Sequence, residues 1–216
     1  KIKGMVVNAT VDQMFTNNTN MPIEAVYVFP LSTNAAVNDM KMIIDDRIIQ
    51  GVVKEKEEAK KVYDQAKKEG KRTTLTTQNR PNIFTNKLAN IMPGDTIVVR
   101  LSYVEDIHYD NEKFSLRFPL VVAPRYISGI TIKGYSGSGW SYDTDIVPDA
   151  SEVSPPLIPE GMRTGNSILI SAEIDAGLEI DKVKSPSHDI VVKGNKNKKY
   201  KINLKRSDYI PNKDFV

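Results

Sequence analysis

Apolar and polar residues alternate with a period of two through most of this chain, and that period fits only a strand with one covered face. Met5, Val7, Ala9 and Val11 alternate with Val6, Asn8, Thr10 and Asp12. Met40, Met42 and Ile44 alternate with Asp39 and Lys41, and Asp45-Asp46 then marks a tight hairpin into Ile48 and Ile49. Ile97, Val99, Leu101 and Tyr103 repeat the pattern, as do Phe114, Leu116 and Phe118. Ala25 to Phe29 is instead a continuous apolar run ended by Pro30, which predicts a strand covered on both faces. Strand patterns return at Ile168–Ile174, Glu179–Val183, Ile190–Val192 and Tyr200–Leu204. The chain is therefore read as all-β (mostly β), and a β-sandwich is the default way to bury so many half-apolar strands.

One segment has the other period. Between Glu55 and Glu69 the less polar positions are Ala59, Val62, Tyr63 and Ala66, a single stripe on a charged helix. Glu55, Glu57 and Glu58 in the first turn and Lys67 and Lys68 in the last suit the helix dipole, and Gly70 supplies the stop. Glu57 with Lys61, and Asp64 with Lys68, have the spacing of stabilising side-chain pairs. The stripe predicts docking through Ala59, Val62, Tyr63 and Ala66. From Gly134 to Thr164 the Gly, Ser and Pro content predicts a long irregular connection.

Length and composition bound the function. With 216 residues, 40% hydrophobic and 26% charged, the chain has enough material for one large or two small globular domains. No apolar run is long enough to cross a bilayer as a helix. A net charge of +3 lacks the concentrated excess of a dedicated nucleic-acid binder. Cysteine is absent, which excludes disulfides, thiolate metal sites and cysteine nucleophiles. The chain opens on Lys1 with no charged-then-apolar leader and reads as an excised or mature segment. Asn8-Ala9-Thr10 and Asn17-Asn18-Thr19 match the glycosylation pattern.

Four blocks stand in a fixed order: Glu24-Ala25-Val26-Tyr27-Val28-Phe29-Pro30-Leu31, Gly51 to Ala59, Gln78 to Thr85, and Ile91-Met92-Pro93-Gly94-Asp95 running on to Val99-Arg100-Leu101-Ser102-Tyr103. Together they closely resemble the vault protein inter-alpha-trypsin (VIT) domain family. Asp45-Asp46 stands where relatives often carry Asp-Gly. Ala123 to Tyr126, Asp143 to Pro156, Ser185 to His188 and Pro211 to Val216 resemble bacterial VIT proteins, in which a similar ending leads into a von Willebrand factor type A (VWA) domain. The resemblance implies a VIT β-sandwich over 1–120, then a β-rich region and connector over 121–216. It implies a secreted or cell-envelope protein and a non-catalytic scaffold that positions a metal-binding adhesion domain. It also implies no cofactor in this part and other proteins as partners, the following VWA domain among them.

Five constellations invite a chemical reading. Ser187, His188 and Asp189 hold the residue types of a hydrolytic triad without a nucleophile-elbow context, and the competing reading is a strand-joining turn. His108 precedes a polar turn and is expected to be exposed. Asp143, Asp145, Asp149 and Glu152 are a candidate calcium cluster, although the glycine and distal glutamate of an EF-hand are missing. The run from Lys193 to Arg206, with Lys198 and Lys199 in it, suits a polyanion or carbohydrate, or equally a solvated hairpin guarding a sheet edge. Trp140 in its Gly/Ser loop and Arg80 in a predicted loop are candidate protein contacts, and Phe84 is expected to plug the core.

Overall fold

The computed structural model describes residues 1–120, 127–132, 139–154, 167–194, 198–206 and 213–216. Of the predicted connection, 134–138 and 155–164 lie outside the described residues, as does Lys196 of the basic run. In chain order the elements are β1 (Ile2–Lys3), β2 (Val6–Thr16), β3 (Ile23–Pro30), β4 (Ala36–Ile44), β5 (Arg47–Gln50), α1 (Lys56–Lys68), β6 (Thr73–Arg80), β7 (Ile83–Ile91), β8 (Thr96–Asp106), β9 (His108–Asp110), β10 (Lys113–Ser115), α2 (Ala150–Val153), β11 (Ser171–Asp175), β12 (Ile190–Gly194) and β13 (Lys199–Leu204). The fold is mostly β, as the alternation predicts.

Eight strands form one sheet in the order β12-β13-β11-β1-β2-β8-β4-β5, and β3-β7-β6 form a second sheet. The neighbours in both are antiparallel except β1 and β11, which run parallel. The core lies between the two sheets, because the inward phase of β8 and β4 meets that of β7 and β3. Ile97, Val99, Met42 and Ile44 pack with Leu88 and Ile91, while Leu101 and Tyr103 pack with Phe29, Leu31 and Phe84. Burying each of these side chains contributes about 1.5–3 kcal/mol. Phe84 fills the core as expected, stacked on Phe29 with ring centroids 5.6 Å apart. Asp45 turns the β4–β5 hairpin at φ 50°, a conformation aspartate tolerates.

Helix α1 starts with the Glu55 carboxylate accepting the Glu58 N–H and ends at Gly70, φ 72°, where the Gly70 and Lys71 amides bond back to Lys67 and Ala66. Its docking stripe is narrower than predicted. Tyr63 is buried and Ala59 and Ala66 are half-buried, but Val62 is 51% exposed. Adjacent helical residues diverge by about 100°, so a helix leaning on little more than β6 covers the 59-63-66 line and leaves Val62 on its flank. The predicted pairs Glu57–Lys61 and Asp64–Lys68 do not form ion pairs. Lys54 reaches Glu58 instead, and Lys67 ties the helix to Glu24 of β3 at 2.6 Å.

Two further expectations need correcting. β3 is covered on one face and not on both: Phe29 is buried in the core, while Val26, three residues away and so on the opposite face, is 47% exposed. Residues 179–183 form no strand. Lys182 and Asp181 are exposed, and the Ile180 carbonyl accepts the Tyr200 hydroxyl at 3.2 Å, where a ladder would need an amide.

Candidate functional site

The four carboxylates of the proposed calcium cluster are parcelled out to separate partners. Asp143 is buried and accepts the Ser151 N–H at 2.8 Å. Asp145 accepts the Ile130 N–H at 2.7 Å. Asp149 forms a two-pronged pair with Arg80, at 2.6 and 2.7 Å, which holds its carboxyl below the usual range. Glu152 faces Lys87 at 3.8 Å, and its carbonyl accepts the Thr85 hydroxyl at 3.2 Å. Among the described residues no three such groups converge on a point where a cation would sit. Asp149 and Glu152 tie the α2 segment to β6 and β7, and Arg80, at the end of β6, is spent on that docking.

Trp140 belongs to the same platform. It is half-buried, not an exposed loop tip, and its Nε1 is buried without a partner among the described residues. The preceding Gly139 donates its N–H to the Ser151 carbonyl at 2.7 Å. A Cβ there would lie 1.8 Å from the Ser154 carbonyl oxygen, so only glycine allows this approach. The part of the predicted connection that is described, 139–154, is thus packed onto the sandwich.

The serine–histidine constellation turns out to be an anchor. Ser187 Oγ accepts the Val216 N–H at 2.9 Å and lies 2.9 Å from His188 Nδ1, while the His188 amide donates to Ser185 Oγ at 3.1 Å. The imidazole is buried against the Phe215 ring, 5.6 Å between centroids. Burial, and secondarily the Lys213 charge, lower its pKa. Phe215 in turn exchanges two backbone hydrogen bonds with Phe118, at 2.8 and 3.0 Å. Asp214 takes the Arg117 guanidinium at 2.6 Å and the Leu120 N–H at 3.0 Å. His108, in contrast, is exposed beside the turn at Asn111 and Glu112, φ 48° and 60°.

The basic run forms the β12–β13 hairpin. Lys199 and Lys201 project to one side of β13, while Ile202 and Leu204 on the other side are buried. Lys198 sits at φ 61° in the turn and is exposed. β13 is internal, so the edge strand is β12 and not the lysine-rich one. A cleft of about 710 Å³ at this end of the sheet is lined by Lys1, Lys3, Lys193, Lys199 and Lys201, with Glu173 and Asp175 between them.

Sequence reasoning missed the burial of two polar residues. Glu105 continues the inward phase of Ile97, Val99, Leu101 and Tyr103, and that phase alone marks it as buried. Burial pushes its carboxyl above the ordinary range, against a hydrogen bond from Ser32. Asn17 is fully buried, with its amide nitrogen donating to the Met21 and Ile91 carbonyls at 2.8 Å, so this member of the glycosylation matches is a structural asparagine.

Comparison with known proteins agrees with this architecture. Residues 1–103 match the family described as vault protein inter-alpha-trypsin domain. The chain is 26% identical over 193 residues to mouse protein mono-ADP-ribosyltransferase PARP4, covering 88% of this chain and 9% of that protein. It is 29% identical over 184 residues to human von Willebrand factor A domain-containing protein 5A, covering 83% of this chain and 21% of that protein. A von Willebrand factor A domain-containing protein of Dictyostelium discoideum is 30% identical over 106 residues, 48% of this chain and 11% of its own length. The chain thus spans between 9% and 21% of the length of the relatives named here, and no described helix is long and apolar enough to cross a membrane. The match to the VIT domain family falls on residues 1–103, which hold most of the strands of the sandwich core and the helix docked on it.

Proposed function

We propose that this chain is a non-catalytic, protein-interacting scaffold, with 1–120 and 121–216 as its units, which holds a following VWA domain in a set orientation in a secreted or cell-envelope protein. The carrying observation is the anchoring of residues 214–216. Phe215 is clamped by Phe118 and His188, Asp214 by Arg117 and the Leu120 amide, and Val216 by Ser187. Chain leaving such a clamp starts from a fixed position and direction, whereas a free linker would let the next domain wander. The relatives named for their VWA domains support the identity of that neighbour. The Ser187 hydroxyl accepts a main-chain N–H, which favours anchoring over nucleophilic attack.

The test uses the full-length protein. Small-angle scattering should give one compact interdomain distance for the wild type and a broadened distribution for Phe215→Ala, with both domains still folded by circular dichroism. An unchanged distribution would overturn the orienting role. Fractionation of cells producing the full-length protein tests the location, and generic ester and peptide substrates should be turned over no faster than by a Ser187→Ala variant.

A further inference from the structure

We propose that the free edge of β12 is a docking site for an extended acidic segment of a partner protein, which adds to the eight-stranded sheet as a ninth strand. The proposal deepens the interaction reading above and rests on it only in taking the partner to be a protein.

Two independent observations meet at this edge. The first is backbone geometry. Among the described residues β12 ends the sheet and no strand pairs with its outer side, and the Lys205 amide donates to the Asp189 carbonyl at 2.9 Å. In an antiparallel pair, hydrogen-bonded and non-bonded positions alternate, so in the register Val191↔Asn203 and Lys193↔Lys201 the bonded residues are 191 and 193. The amides and carbonyls of Ile190, Val192 and Gly194 therefore point away from β13, toward the open edge. Gly194 is held to glycine by Tyr200, whose ring would lie 2.8 Å from any Cβ, so no side chain shields that end of the edge.

The second is charge. Lys193 and Lys201 are directly opposite each other, and like charges so placed repel. Neither has a carboxylate within ion-pair distance among the described residues. Glu173, the cross-strand neighbour of Lys201 on β11, instead lies 3.7 Å from Lys1, and Lys199 faces Asp175 at 3.5 Å. A strand added beside β12 would place alternate side chains opposite Val191 and Lys193 on the lysine face, where a carboxylate relieves the repulsion. The intervening side chains fall on the face of Val192, which continues the buried side of Ile202. The preferred segment thus alternates acidic and apolar residues, with main-chain bonds supplying affinity and the lysines selecting sign. Lys193 also guards the edge against strands of the wrong charge. A nucleic acid fits less well: Tyr200 is half-buried with its hydroxyl committed to Ile180, leaving no free aromatic platform at the edge among the described residues.

The experiment measures binding of the intact chain, by fluorescence anisotropy at moderate salt, to a labelled six-residue peptide alternating glutamate and valine. Three comparison probes are the same peptide N-methylated at the residues facing β12, a lysine–valine peptide, and heparin. Binding of the acidic peptide, its loss on N-methylation, and weakening of roughly tenfold or more in Lys193→Glu and Lys201→Glu would support strand addition. N-methylation leaves the protein untouched, so misfolding cannot imitate that result. Equal binding of the methylated peptide, heparin binding more tightly than the peptide, or no binding would each overturn the proposal. None of these outcomes bears on the Phe215 clamp, so this idea and the orienting role fail separately.

Discussion

If Tyr63 is the anchor of α1, truncating it should cost far more than altering its neighbour Val62. Tyr63 is 7% exposed, and burial, reinforced by the Glu24 and Asp64 charges, pushes its hydroxyl pKa up to about 12. An aromatic side chain buries on the order of 150 Å², which at about 25 cal/mol per Å² gives roughly 4 kcal/mol. Allowing for the partly collapsed unfolded chain leaves about 3 kcal/mol. In a chain of this length each kcal/mol moves the melting temperature by about 2–4 °C, so Tyr63→Ala should lower it by about 6–12 °C. Val62→Asp places a charge on a half-exposed flank and should stay within about 0.5 kcal/mol of wild type. Thermal denaturation followed by circular dichroism gives the melting temperatures, and hydrogen exchange of the Lys56–Lys68 amides shows whether the helix is released before the sandwich melts. If Val62→Asp destabilised as much as Tyr63→Ala, the docking line through 59, 63 and 66 would be wrong.

Three other outcomes can be checked with the same equipment. Gly139→Ala should cost about 1–3 kcal/mol, because the Ser154 carbonyl 1.8 Å from the new Cβ is backbone and cannot swing aside; unchanged stability would mean α2 is loosely seated. Glu105→Gln should stabilise the protein at pH 7: the folded-state pKa lies above the ordinary 4.5, so the penalty of ionising appears as pH rises through 4.5 toward the raised value. Denaturant midpoints should therefore favour the variant at pH 7 and converge with wild type near pH 4, and a variant weaker at pH 7 would refute this. EDTA should leave the melting temperature unchanged, whereas a fall of several degrees reversed by calcium would show that a cation joins Asp143–Glu152 after all.

What the sequence made legible was whatever depends on local period. The inward phase of β8 gave the burial of Ile97, Val99, Leu101 and Tyr103 residue by residue, and the acidic start and glycine stop placed α1 within one residue at each end. Partnership was not legible. Nothing local distinguishes Val62 from Tyr63, because which flank of a helix is covered depends on how much sheet lies beneath it. The apolar run in β3 could not reveal that the face carrying Val26 is left largely open. The acids at Asp143–Glu152 read as a cluster because they are near in sequence, but their cations, Arg80 and Lys87, come from β6 and β7. Ser187 and His188 likewise suggested chemistry only while Phe215 and Val216 were missing from their surroundings.

The scaffold reading gains most from where the later part of the chain is fastened. β11 joins the sheet by pairing in parallel with β1, a strand of only two residues, and the Gly4 amide adds a bond to the Asp175 carbonyl at 3.0 Å. That seam alone is too short to resist rotation. A second attachment, α2 with its Arg80–Asp149 pair, lies on the other sheet, and a third, the Phe118–Phe215 bridge, follows the β9–β10 hairpin. Each attachment holds a different stretch of the later chain, β11 on the eight-stranded sheet, α2 on β6 and β7, and residue 215 on Phe118. A force or a binding event at the β12 edge would therefore be transmitted through β13 and β11 into the sandwich, and through the Ser187–Val216 contact to the chain that leaves it.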